Sequence, residues 1–142
     1  MTTPTRQFHK NMTLPRNGEI FVFGSNRAGY HGAGAAAIAN KYYGAPWLQG
    51  VGRMGQSYAI PTKGHHLYHI LTLAEIQAEV ERFCQYTRDH PDLQFFVTAV
   101  GCGYAGHEHA EIAPMFSTAL NCSFPLAWKK YLSPTVGVSE SK

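Results

Sequence analysis

Residues 19–37 read Glu-Ile-Phe-Val-Phe-Gly-Ser-Asn-Arg-Ala-Gly-Tyr-His-Gly-Ala-Gly-Ala-Ala-Ala, and the fold turns on this stretch. Residues 20–23 are a short continuous apolar run of the kind a buried strand shows. Gly24-Ser25-Asn26 interrupts the run, and Gly29, Gly32 and Gly34 make the following loop glycine-rich. Ala35, Ala36 and Ala37 then open a helix, because alanine has the highest intrinsic helix propensity. Strand, glycine loop and helix start is an arrangement that lets backbone N–H groups approach an anion. The positive end of the helix dipole adds to it. The stretch reads as a phosphate cradle, with a tight glycine turn holding no ligand as the competing reading.

The rest of the chain continues the alternation. Helix signals cover residues 34–43 and stop at Gly44 with Pro46 beyond. Residues 47–56 carry Gly50, Gly52 and Gly55 without periodicity, which predicts a loop. Residues 57–63 form a plausible strand that brings Thr62 and Lys63 to a sheet edge. Thr72 and Glu75 make a capping box, and Leu73, Ile76, Val80, Phe83 and Cys84 lie on one face of the helix that follows, to about residue 89. Residues 93–100 are the most strand-like of all and end in Gly101-Cys102-Gly103-Tyr104-Ala105-Gly106, a second glycine loop. A third helix is expected over 111–120 and a short strand over 123–126. Residues 1–17 read as a flexible arm, 18–132 as one domain, and 133–142 as a frayed tail. The expected fold is a three-layer α/β/α sandwich on a mixed, largely parallel sheet, with ligands at the carboxyl ends of strands.

Composition narrows the function classes. The 142 residues suffice for one domain, and 44% hydrophobic against 15% charged residues describes a compact chain. A formal charge of +3 suits an anionic small molecule but not a broad duplex footprint. No window approaches a membrane span, and residues 1–10 lack the apolar region of a signal peptide. Three scattered cysteines, Cys84, Cys102 and Cys122, point to a reducing compartment, so a cytoplasmic protein is expected. His107-Glu108-His109 with His65, His66 and His69 lacks helical metal-ligand spacing, so neither a metal nor a cofactor is expected. Tyr104, Tyr30 and Phe116 offer faces for an adenine, Tyr104 the best placed of them. His31, beside the cradle, is a candidate phosphate or ribose contact, or else a residue that merely caps the turn.

These motifs resemble the macrodomains, ADP-ribose-binding α/β modules. The subgroup in view contains terminal ADP-ribose protein glycohydrolase and the antitoxins that remove ADP-ribose from DNA. Gly32-Ala33-Gly34-Ala35-Ala36 opening a helix that ends at Tyr43-Gly44, a strand ending Ile60-Pro61-Thr62-Lys63, and the strand leading to Gly101-Cys102-Gly103-Tyr104 carry the resemblance, over about residues 19–120. The chain is also similar to small phage and bacterial proteins with a Phe-Gly-Ser-Asn start. The resemblance implies that Gly32, Ala33 and Gly34 line the distal ribose and diphosphate, with Asn26 near that ribose. It implies that Gly101, Cys102, Gly103 and Tyr104 form a second phosphate loop. It makes Lys63 the group that attacks the anomeric carbon, with Thr62 beside it. The subgroup has an acidic residue where this chain has Ala105, and His107 and Glu108 are the nearest replacements. Three functions follow as expectations: binding of an ADP-ribose-type nucleotide with removal of ADP-ribose from a modified protein or nucleic acid; non-catalytic sequestration or reading of an ADP-ribose-like, even cyclic, signal in a phage–host contest; or dephosphorylation of ADP-ribose phosphate with His31 or His107 as acid–base.

Overall fold

The computed structural model describes residues 5–66, 68–103 and 105–134. Six strands form one sheet: β1 (Gln7–His9), β2 (Ile20–Asn26), β3 (Gly52–Met54), β4 (Ser57–Lys63), β5 (Phe95–Val97) and β6 (Cys122–Pro125). Their order is β1-β6-β5-β2-β4-β3. Every neighbouring pair is parallel except β3–β4, which is antiparallel. The helices are α1 (Gly34–Tyr42), α2 (Leu73–Asp89) and the short α3 (His109–Ile112), with 3-10 helices at Ala113–Phe116 and Leu126–Tyr131.

The alternation along β2 produces three layers. Ile20 and Val22 face one way, into a core shared with Ile76, Val80 and Phe83 of α2 and with Phe116 and Trp128. Phe21 and Phe23 face the other way, against Ala36 and Ala39 of α1. Successive strand side chains point to opposite faces, so a run apolar at every position must be covered twice. On this side α1 buries the small residues Ala36 and Ala39 against the sheet, and Phe21 stacks on Tyr43, the C-cap of α1, at 4.7 Å between ring centroids. The capping box of α2 is formed: Glu75 N donates to Thr72 Oγ1 at 3.1 Å, and Thr72 N to Glu75 Oε1 at 2.8 Å. The mixed, mostly parallel α/β sandwich therefore stands as expected.

Several local readings need correction. Residues 7–9 do not belong to a free arm; they pair in parallel with β6. Arg6 secures them, donating from Nε to the Ser133 carbonyl and from Nη2 to the Ser117 carbonyl. The aperiodic 47–56 segment contains β3. Its three residues are too few to show a period. The third helix starts two residues earlier than expected and yields after Ile112 to a 3-10 turn. Pro114 has no N–H to give an α-helical ladder and is tolerated only in a first turn, so the segment restarts there. β5 stops at Val97, where Thr98 turns toward Val22, both its N and its Oγ1 donating to that carbonyl. Residues 135–142 of the expected tail lie outside the described residues. Among the described residues no helix is long and apolar enough to cross a membrane.

Candidate functional site

The carboxyl ends of β2, β4 and β5 open into a cavity of about 800 Å³, within the roughly 300–1,000 Å³ usual for small-molecule sites. Both glycine loops line it, as does the end of β4. Parallel strands place all their carboxyl ends on one edge of the sheet, which is why segments far apart in sequence converge here.

The first wall is the start of α1. Gly32, Ala33, Gly34, Ala35 and Ala36 all line the cavity. Ala33 is the N-cap and offers no side-chain hydrogen bond to the first turn. Side-chain caps normally satisfy the first-turn N–H groups, so here those donors face the cavity uncapped. No carboxylate stands in that turn to neutralise the dipole.

The opposite wall is the 101–103 loop. Cys102 N donates to the Ala99 carbonyl, whereas the N–H groups of Gly101 and Gly103 have no partner among the described residues. A β-carbon at Gly103 would meet no atom within 4 Å. Burial, with Glu108 and Glu111 adding to it, pushes the Cys102 thiol up to about 11. It is a neutral thiol at pH 7 and contributes no nucleophile. The expected Tyr104 contact lies outside the described residues.

The floor comes from β2 and β4. Pro61 cannot donate to the sheet ladder, and the β2–β4 register shifts just beyond it: Ser25 pairs with Pro61, then Asn26 with Lys63. Thr62, skipped by the register, sends its Oγ1–H to the Ser25 carbonyl at 3.3 Å. Asn26, Thr62 and Lys63 all line the cavity. Asn26 is less available than expected. Its amide donates to the Tyr30 carbonyl at 2.8 Å and accepts from Tyr30 N at 2.9 Å, so half its hydrogen-bonding capacity holds the loop together.

Three expected contacts are placed elsewhere. His31 is buried behind the wall, with Nε2 3.0 Å from the Gln49 carbonyl and its ring edge-on to Phe23. The apolar seat between Phe23 and Trp47 takes it out of the lining. Glu108 and His107 are not in the lining either. Glu108 is the exposed N-cap of α3, where its N–H donates to Glu111 Oε1. His107 Nε2 is buried without a partner among the described residues.

Among the lining residues that the sequence reading did not assign to the site are Trp47 and His109. Trp47 is 52% exposed at the cavity wall and lies 6.2 Å, ring centroid to ring centroid, from Tyr30. Its segment is clamped: Leu48 N donates to the Gly29 carbonyl, and Gly29 N to the Asn26 carbonyl. A β-carbon at Gly29 would lie 2.4 Å from the Leu48 and Gln49 backbone, so only glycine allows this approach. A lone tryptophan in an aperiodic glycine-rich segment was the available signal. His109 was hidden within a histidine cluster judged only for metal spacing. Among the described residues no three His, Cys, Asp or Glu side chains group to hold a metal ion.

The sequence matches no protein-family model and no curated protein sequence. Among solved structures the fold is similar to Thermosipho africanus DarTG in complex with ADP-ribose, with a TM-score of 0.53 and 16% identity. The match covers 78% of this chain and 39% of that one, so the chain spans well under half of the protein it resembles. That likeness establishes the architecture: this chain is an α/β sandwich of the macrodomain-like kind.

Proposed function

We propose that this protein binds ADP-ribose or a related ADP-ribose-containing nucleotide in the cavity. The observation that carries the reading is the pairing of two donor-rich walls across one cavity: the uncapped start of α1 and the spare N–H groups of the 101–103 loop. Backbone donors at a helix start and in a glycine loop suit a diphosphate. Tyr30 and Trp47 add aromatic faces on which a base can stack. The similar DarTG structure was solved with ADP-ribose, which supports the same ligand class here.

Removal of ADP-ribose from a protein or nucleic acid is the catalytic extension of this reading. Lys63 would attack the anomeric carbon as the free amine, the glycosidic bond would break with its oxygen taking up a proton, and water would then displace the Lys63 amine to release ADP-ribose. No carboxylate is found among the described cavity-lining residues. That observation favours the second reading, a protein that sequesters or reads an ADP-ribose-like signal with little turnover. Phosphatase chemistry loses its acid–base candidates with His31 and His107 outside the lining. The cytoplasm fits the three unpaired cysteines, Cys84, Cys102 and Cys122.

Calorimetry of the full chain with ADP-ribose tests binding, and release of ADP-ribose from modified protein or DNA tests turnover. Tight binding with slow release, unchanged by Lys63→Ala, is the result expected of a binder. Rapid release abolished by Lys63→Ala establishes the hydrolase. Absence of ADP-ribose binding refutes the reading.

A further inference from the structure

His109 opens α3 and lines the cavity. Its Nδ1 stands 2.9 Å from the indole Nε1 of Trp128, a side chain with no solvent exposure. An indole N–H donates and never accepts, so Nδ1 must present its lone pair. The ring proton of the neutral imidazole then sits on Nε2. Nε2 is not enclosed and has no protein partner among the described residues. Trp128 needs an acceptor because it is buried, which explains the bond from the tryptophan's side. It does not account for an outward N–H whose tautomer the core has chosen.

The surroundings say what that N–H suits. The ring stands between the main cavity and a smaller one of about 460 Å³, to which Lys129 and Lys130 contribute. Neither cavity has a carboxylate among its described lining residues. On the main side the neighbouring wall holds the spare N–H groups of Gly101 and Gly103. Acceptor oxygens carrying negative charge are what such a field favours.

Resting on the reading of the cavity as a nucleotide site, we propose that His109 Nε2–H donates to a phosphate oxygen of the bound ligand and that Trp128 is its positioning residue. In this arrangement neither ring nitrogen serves as a base, since Trp128 occupies the Nδ1 lone pair and Nε2 carries the proton. His109 is a binding group of fixed polarity.

The test combines long-range proton–nitrogen NMR on the labelled full chain with ADP-ribose calorimetry. Wild type should show the Nε2–H tautomer, and ADP-ribose should move the Nε2 signal. His109→Ala should bind about ten- to a hundredfold more weakly, the loss of one hydrogen bond to a charged group. His109→Gln, which places an amide N–H near the same point, should recover most of that loss. Trp128→Phe should yield mixed tautomers and an intermediate affinity, and the two partly exposed His109 variants carry the test if it unfolds. A wild-type Nδ1–H tautomer, or His109→Ala binding as tightly as wild type, overturns the proposal while the nucleotide reading stands. If wild type binds no ADP-ribose, inorganic pyrophosphate is titrated instead. Movement of the Nε2 signal then keeps the phosphate donor and rejects only the nucleotide, whereas a still signal rejects both.

Discussion

Asn26 and Lys63 are register partners across β2 and β4, brought side by side by a bulge that skips Thr62. Without the shift that follows Pro61, Asn26 would face Thr62. Lys63 would then fall one position farther out, on the other side of the pleat, because a one-residue slip reverses which face a side chain joins. Arg27 N donates to the Lys63 carbonyl at 3.0 Å and locks the new register. A residue without an N–H thus helps set which side chains the sheet presents to its cavity.

The second loop gives a clean test of where an anion sits. Gly103→Asp enters open space, so the fold should survive. A carboxylate there faces the same field as the ligand's phosphates and repels them by about 1 kcal/mol or more in a partly dry site. ADP-ribose affinity should fall about five- to tenfold at low salt, read by calorimetry, and the deficit should shrink as salt is added. Unchanged affinity at low salt would place the ligand away from this loop.

The two tryptophans report separately. Trp128 is fully buried and Trp47 is half exposed, so only Trp47 emission should be quenched when a base stacks on it. Adding ADP-ribose should leave a blue-shifted Trp128 spectrum, and Trp47→Ala should abolish the change. Loss of one stacking partner should weaken binding about tenfold, with little effect on melting temperature.

Thr72→Ala tests the start of α2. It removes the side-chain acceptor for Glu75 N, while the backbone N–H of residue 72 still donates to the Glu75 carboxylate. A loss of about 1 kcal/mol is expected. In a domain of this size that lowers the melting temperature by about 3–5 °C. Nucleotide affinity should not change, since Thr72 is not among the cavity-lining residues.

His9 should make the β1 edge sensitive to acid. Its ring stacks on Phe96 at 3.9 Å, and its Nδ1 lies 2.7 Å from Ser123 Oγ. Burial holds its pKa below the usual 6.5, with a hydrogen bond to the Val97 backbone opposing the shift. The folded state therefore binds the proton less readily than the unfolded chain, and stability rises with pH in that range. His9's contribution is complete above about pH 6.5 and declines as the pH falls below it. The protection of residues 7–9 against hydrogen exchange, taken relative to the intrinsic rate at each pH, should fall as the pH drops below about 6.5, and His9→Phe should flatten that dependence. Equal exchange in both proteins would show that His9 does not control the edge.

Local chemistry made much of this protein legible in its sequence. The run at residues 20–23, apolar at every position, reads as a buried strand, and Thr72 with Glu75 reads as a helix start. Gly32 to Ala36 announced a glycine loop entering a helix. Each signal lies within a few residues, where backbone sterics and propensity act. What remained depended on contacts distant in sequence. Gln7–His9 became a strand because β6 and Arg6's two distant carbonyl partners hold it. His31 left the cavity because Gln49 and Trp47 close over it. The polarity of His109 was decided 19 residues away by Trp128. A side chain's burial and the partner that claims each of its atoms are set only when the layers pack, so no local pattern could have announced them.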